Sequence, residues 1–137
     1  MKKYTVLVIE DERPLRAALK TEFLEHQFRV LEAADGNEGL VIAKKEHPDL
    51  ILLDLIMPTK DGMTMLRELR QDAWGKDVHV ILLTNVSGPE KVTEAAELGA
   101  YDYFVKTDID LSEIATRIEE RLSAHQSGTS ADKQRKN

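Results

Sequence analysis

Leu50-Ile51-Leu52-Leu53-Asp54-Leu55-Ile56-Met57-Pro58-Thr59-Lys60-Asp61-Gly62 is the stretch that sets the fold. Its first four residues form an unbroken apolar run, the pattern of a strand covered on both faces. The run stops at an ionisable side chain, Asp54, and gives way to a loop carrying Pro58 and Asp61-Gly62. A strand covered on both faces needs a helix layer on either side of its sheet. Working outward, Tyr4–Ile9 and Val78–Leu83 repeat the same apolar texture. Phe28–Ala33 and Tyr101–Val105 are also strand-like, but Arg29, Glu32 and Asp102 interrupt them, which suits edges. Between these runs the apolar spacing changes from strand-like to helical: Leu15, Ala18, Leu19 and Phe23; Leu40 and Ala43; Met65, Leu66 and Leu69; Val92, Ala95 and Ala96; and Leu111, Ile114, Ala115, Ile118 and Leu122. Asp35-Gly36-Asn37-Glu38 and Asp110-Leu111-Ser112-Glu113 have the form of helix starts, while His47-Pro48-Asp49 and Gly99 read as stops.

Alternating strand and helix predicts an α/β, doubly wound, five-stranded parallel sheet with five helices. The two interrupted strands, second and fifth in the chain, fall at the edges in the flavodoxin-like order 2-1-3-4-5. Regular patterning ends near His125, so residues 1–124 are expected to form one domain and 125–137 a polar, disordered tail. The chain has 137 residues, 42% hydrophobic and 32% charged, enough for one core. It has no cysteine, which excludes disulfides, thiolate metal sites and a Cys nucleophile, and fits a cytoplasmic location. No apolar run approaches the length that spans a bilayer, so no membrane insertion is expected. A net charge of −6 argues against direct nucleic-acid binding.

In such sheets ligands bind beyond the carboxyl ends of the strands, where the strand order reverses. Here that point lies between the first and third strands, and the residues just past them are Glu10, Asp11 and Asp54. Three converging carboxylates repel one another unless a cation neutralises them, and an all-oxygen site suits Mg²⁺. The fourth strand ends at Thr84 and the fifth at Lys106. Taken singly each residue has a plain explanation: acids favour helix N-termini, Thr favours strands and Lys favours surfaces. Together they match phosphoryl transfer, which needs charge neutralisation more than acid–base groups. Asp54 is the candidate nucleophile, Asp11 with Glu10 the metal ligands, Lys106 and Thr84 the partners of the phosphoryl oxygens.

Val8-Ile9-Glu10-Asp11-Glu12, Leu53 to Gly62, Leu83-Thr84 and Gly99 to Lys106 resemble the four signature blocks of response-regulator receiver domains of two-component signalling, over roughly Lys3 to Leu122. The resemblance implies a chemotaxis-receiver-like fold. It makes Asp54 the phosphoacceptor, with Glu10, Asp11, Asp54 and the Ile56 carbonyl around Mg²⁺. It makes Thr84 a switch hydroxyl, Lys106 the phosphate-binding lysine and Tyr103 the aromatic switch. The implied partners are a sensor histidine kinase or phosphotransfer protein and an unidentified downstream protein, with homodimerisation through the fourth helix, fifth strand and fifth helix common in the family. Ile56 and Val86 flank the approach of water, which implies slow loss of the phosphoryl group. Three positions depart from the pattern: Thr107 replaces the usual cis-proline, Asn85 a small residue, and Glu10 the commoner Asp. A non-proline cis bond costs about 2.5–4 kcal/mol, so a trans bond is expected after Lys106. The competing reading is a receiver-like interaction module that works without phosphorylation. A flavin carrier is disfavoured by the acids after the first strand, and a haloacid-dehalogenase phosphatase by Ile56 where a second Asp would stand. The short segment after Leu122 leaves a stand-alone receiver or a fragment of a longer regulator.

Overall fold

The computed structural model describes residues 3–57, 60–85, 89–100 and 102–127. Strands β1 (Thr5–Ile9), β2 (Arg29–Ala33), β3 (Leu50–Asp54), β4 (His79–Thr84) and β5 (Asp102–Val105) alternate with helices α1 (Arg13–Glu25), α2 (Gly36–Glu46), α3 (Gly62–Gln71), α4 (Pro89–Glu97) and α5 (Leu111–Ser127). One 3₁₀ turn, Lys106–Asp108, leads from β5 towards α5. All described strand pairs are parallel and the order is β2-β1-β3-β4-β5. The expected order is therefore the observed one, with both interrupted strands at the edges. Every residue of β3 is buried, whereas β2 and β5 keep exposed positions.

Alternation along the strands divides the core in two. Leu7, Ile9, Ile51, Leu53, Val80 and Leu82 face α2, α3 and α4, where Leu40, Ala43, Met65, Leu66, Leu69 and Ala95 meet them. Val6, Val8, Leu50, Leu52, Ile81 and Leu83 face α1 and α5, which contribute Leu19, Phe23, Ile114, Ala115, Ile118 and Leu122. The helix boundaries have local causes. Asp35 caps α2 by accepting a hydrogen bond from the Glu38 amide (2.8 Å), and Glu38 in turn accepts one from the Ala34 amide (2.7 Å). His47 ends α2 in the left-handed region at φ 52°, and Gly99 turns the chain after α4 at φ 84°. Asp110 caps α5, its carboxylate accepting from the Ser112 and Glu113 amides. Helix α5 continues to Ser127, so the apolar stripe that ends at Leu122 is followed by further helix. No helix among the described residues is long and apolar enough to cross a membrane.

Candidate functional site

Register explains why the acids meet. Ile9 of β1 lies opposite Leu53 of β3, so one step further along both strands brings Glu10 opposite Asp54. Neighbouring strands run about 4.8 Å apart. Both residues also continue the alternation of the α1/α5 face, whose last apolar members are Val8 and Leu52. The result is two buried carboxylates side by side, Glu10 at 0% and Asp54 at 1% exposure. Asp11 follows Glu10 and completes a cluster in which one carboxylate oxygen of each residue lies within 4.8 Å of the others.

Lys106, first residue of the 3₁₀ turn after β5, reaches into this cluster. Its Nζ is 3.0 Å from the Asp54 carboxylate, 3.0 Å from that of Glu10 and 3.4 Å from that of Glu12. Burial pushes the Asp54 carboxyl up to about 7; the hydrogen bond from Lys106 opposes this and the Glu10 charge adds to it. Burial likewise raises Glu10 above the ordinary carboxylate range, against hydrogen bonds from the Glu12 amide and Lys106. For Lys106 burial acts downward, but the hydrogen bonds to Glu10 and Asp54 prevail and hold the ammonium charged well above its ordinary value. One cation thus serves several carboxylates, and the charge of the cluster remains negative when they ionise.

One atom marks where a second cation belongs. Glu10 Oε1 is buried and makes no directed hydrogen bond, only an ion pair with Lys106 Nζ at 3.0 Å, whereas Oε2 accepts from both Lys106 and the Glu12 amide. A buried carboxylate oxygen without a directed donor is costly. With Asp11 and Asp54 it forms an all-oxygen donor set of the type hard divalent cations take. The residues present fit Mg²⁺.

Around this cluster the backbone is closely specified. Asp54 Oδ1 accepts from the Ile56 amide (3.2 Å), while the Ile56 side chain is 55% exposed. Gly62 donates to the Leu55 carbonyl (2.9 Å). A Cβ on Gly62 would come within 2.2 Å of the Asp54 carbonyl oxygen, so any side chain there would displace the acceptor strand. Thr84, 7% exposed, closes β4 next to β3, where Leu83 lies opposite Asp54. Tyr103 projects outward from β5 and is 46% exposed. The bond after Lys106 is trans, as expected with Thr107. Asn85 is exposed at the rim. Pro58, Thr59, Val86 and Tyr101, together with the tail from Gly128 onward, lie outside the described residues.

Two features of the site escape a reading by motif. Arg16 in α1 donates to the Glu10 carbonyl (2.8 Å) and pairs with Glu32 of β2 (3.4 Å), which also pairs with Lys20 (3.2 Å). It fixes the backbone that carries the acids. Its signal is faint, a single Arg on an otherwise ordinary helix. Glu12, which reads only as a favourable helix-start residue, is in addition an ion-pair partner of Lys106.

Comparison with known proteins agrees with this architecture. Residues 6–119 match the response regulator receiver domain family, and the chain belongs to that family. It is 44% identical over 106 residues to the probable transcriptional regulator ycf27 of Porphyridium aerugineum, covering 77% of this chain and 43% of that protein. The chain thus spans less than half the length of that relative. Among solved structures it resembles the Francisella response regulator 1452 receiver domain (29% identity, TM-score 0.77, covering 85% of this chain and 94% of the other). It also resembles CheY in the CheX–CheY–BeF3–Mg²⁺ complex of Borrelia burgdorferi (25% identity, TM-score 0.78, covering 87% and 89%). The chain is therefore a receiver domain of the kind found in two-component signalling.

Proposed function

We propose that Asp54 accepts a phosphoryl group from a phosphohistidine of a sensor kinase or phosphotransfer protein in a Mg²⁺-dependent reaction. The observation that carries this is a carboxylate buried at a strand end, 3.0 Å from a buried ammonium and beside a second buried carboxylate whose Oε1 makes no directed hydrogen bond. Ionised Asp54 needs no general base: a carboxylate oxygen attacks phosphorus, the O–P bond forms, the N–P bond breaks, and its electron pair leaves with the imidazole. Lys106 is already within hydrogen-bonding reach of Asp54, so an arriving phosphoryl oxygen can exchange for one of its present carboxylate partners. Thr84 supplies a hydroxyl to another phosphoryl oxygen. Glu10, Asp11, Asp54 and the Ile56 carbonyl would hold Mg²⁺, which would neutralise the remaining charge; the Borrelia CheY in complex with Mg²⁺ and BeF3 supports this choice of metal.

The acyl phosphate then acts as a switch. Movement of Thr84 towards it opens space for Tyr103, now exposed, to turn inward, and a downstream protein reads the changed surface. On this reading residues 1–124 are the receiver and 125–137 a tail, and the protein works in the cytoplasm. The chain catalyses only its own phosphorylation and dephosphorylation.

Incubation with Mg²⁺ and acetyl phosphate should add one phosphoryl group, lost on treatment with hydroxylamine as an acyl phosphate must be. Asp54→Asn should stay unmodified. Mg²⁺ alone should raise the melting temperature progressively with its concentration, and Asp11→Asn should abolish that rise. A wild type that takes no label with Mg²⁺ present would instead favour a receiver working without phosphorylation.

A further inference from the structure

Glu12 is the one acid of the cluster that phosphoryl transfer leaves without a task. It occupies the N-cap of α1, yet its side chain makes no capping hydrogen bond. Instead it extends to Lys106, with Oε2 3.4 Å from Nζ. The two other carboxylates on that ammonium belong to Glu10 and Asp54 and are buried, while the Glu12 side chain is 56% exposed. Glu12 therefore covers Lys106 from the solvent side, the side from which a phosphodonor must arrive.

We propose that Glu12 is a specificity-determining residue: an anionic gate over Lys106 that selects against highly charged small phosphodonors. The proposal rests on Asp54 being the phosphoacceptor. Two effects act in the same direction. A donor's phosphoryl oxygen must displace the Glu12 carboxylate to reach the ammonium, and the carboxylate repels the donor's own charge as it approaches. The first effect is similar for all donors; the second grows with donor charge. An exposed carboxylate is held by a weak pair, so the gate yields to a protein donor whose docking surface supplies binding energy from elsewhere. With a free acyl phosphate no such energy is available, and the repulsion is felt in full. In that reaction the bond between phosphorus and the acyl oxygen breaks, acetate leaves with the electron pair, and the Asp54 O–P bond forms.

The test compares the full chain with Glu12→Gln, and with Glu12→Ala as a second removal of the same charge. Phosphoprotein formation is followed by intact mass with Mg²⁺ and two donors. Acetyl phosphate is a dianion near neutral pH, and phosphoramidate carries a net single negative charge. At low ionic strength both variants should react with acetyl phosphate roughly threefold to tenfold faster than wild type, and with phosphoramidate by a clearly smaller factor. That gap should close at about 1 M salt, where the screening length falls to about 3 Å. A merely structural role for Glu12 would move both donors equally at every salt concentration. Equal factors for the two donors, no acceleration, or a gap that salt leaves intact would each overturn the gate while leaving Asp54 as acceptor. Absence of label at Asp54 in wild type and variants alike would remove both readings together.

Discussion

The two ends of the sheet solve opposite problems with the same kinds of residue. At the amino ends of the strands, charged groups are matched to what surrounds them. Arg70 at the end of α3 donates to the carbonyls of Leu98 (2.6 Å), Gly75 (2.8 Å) and Val78 (2.8 Å), tying α4, the turn after α3 and the approach to β4 together. The Asp49 carboxylate accepts from the Thr5 amide (2.8 Å), and Trp74 stacks on His47 at 4.5 Å. At the carboxyl ends, Glu10 and Asp54 are buried beside each other, both with raised pKa, and one Glu10 oxygen makes no directed hydrogen bond. One end is satisfied and stabilises. The other is held in electrostatic conflict that a metal and a phosphoryl group would relieve, which is where functional sites depart from the rules of stability.

The largest expected effect belongs to the satisfied end. Arg70→Ala leaves three backbone carbonyls without their charged donor and should cost roughly 3 kcal/mol or more. Urea denaturation at neutral pH measures it. A loss under about 1 kcal/mol would mean that water replaces the guanidinium at little cost, and that the two ends differ less than their geometry suggests.

At the conflicted end the sign reverses. Asp54 has a folded pKa near 7 against an ordinary value of 3.8. A carboxyl whose pKa is raised on folding contributes stability that is fully present below its unfolded pKa. That contribution is lost as pH rises through the folded value. Asp54→Asn should therefore be more stable than wild type by roughly 1–3 kcal/mol at pH 8 without Mg²⁺, with the gain fading as pH falls from about 7 to about 4. Melting curves across pH test this. A mutant no more stable than wild type at pH 8 would place the cost of the site elsewhere.

The same contrast decides what the sequence discloses. Strand order was legible because apolar texture separates covered strands from edges: Leu50 to Leu53 against Phe28–Ala33 with Arg29 and Glu32 in it. The candidate site residues stand out in the sequence because Glu10, Asp54, Thr84 and Lys106 each stand where an apolar run stops. Arg16 and Arg70 were not, because a cation on a helix looks like solvated surface until the carbonyls it serves are placed beside it by chain far away in sequence. The pairing of Glu12 with Lys106 spans 94 positions and depends on the 3₁₀ turn that presents the lysine. Nor does composition reveal which oxygen of Glu10 lacks a directed hydrogen bond; that is set by the Glu12 amide taking the other one.

A kinetic effect of intermediate size concerns Ile56, which stands exposed two residues beyond Asp54. It cannot orient a water by hydrogen bonding and can exclude one. Ile56→Asn should speed loss of the phosphoryl group after donor removal, by about tenfold in combination with Val86→Glu, a barrier change of about 1.4 kcal/mol. Phosphoprotein decay measures it, and equal lifetimes would show that neither side chain controls access of water.

The smallest effect sharpens the comparison most, because it has the same pH slope as Asp54 from the opposite cause. His26, at the C-terminal end of α1, lies 2.9 Å from the Glu119 carboxylate of α5 and 3.2 Å from that of Glu22. The Glu119 hydrogen bond raises its pKa above 6.5, with burial opposing and Glu22 adding to the rise. Its stabilisation is therefore fully present below 6.5 and is lost as pH rises through the folded value. Asp54 disfavours its charge and leaves a cost at high pH; His26 favours its charge and leaves a benefit at low pH. His26→Gln should lose roughly 0.5–1 kcal/mol more at pH 5.5 than at pH 9. Any constant part of the loss, such as the stacking of the ring on Phe28, cancels in that difference. Salt separates the two causes. The partly exposed His26 pairs are screened, so the pH 5.5 loss should shrink at high ionic strength. The Asp54→Asn gain arises mainly from burial and should persist. If salt abolishes the Asp54 effect and spares that of His26, the assignment of conflict to one end and satisfaction to the other is wrong.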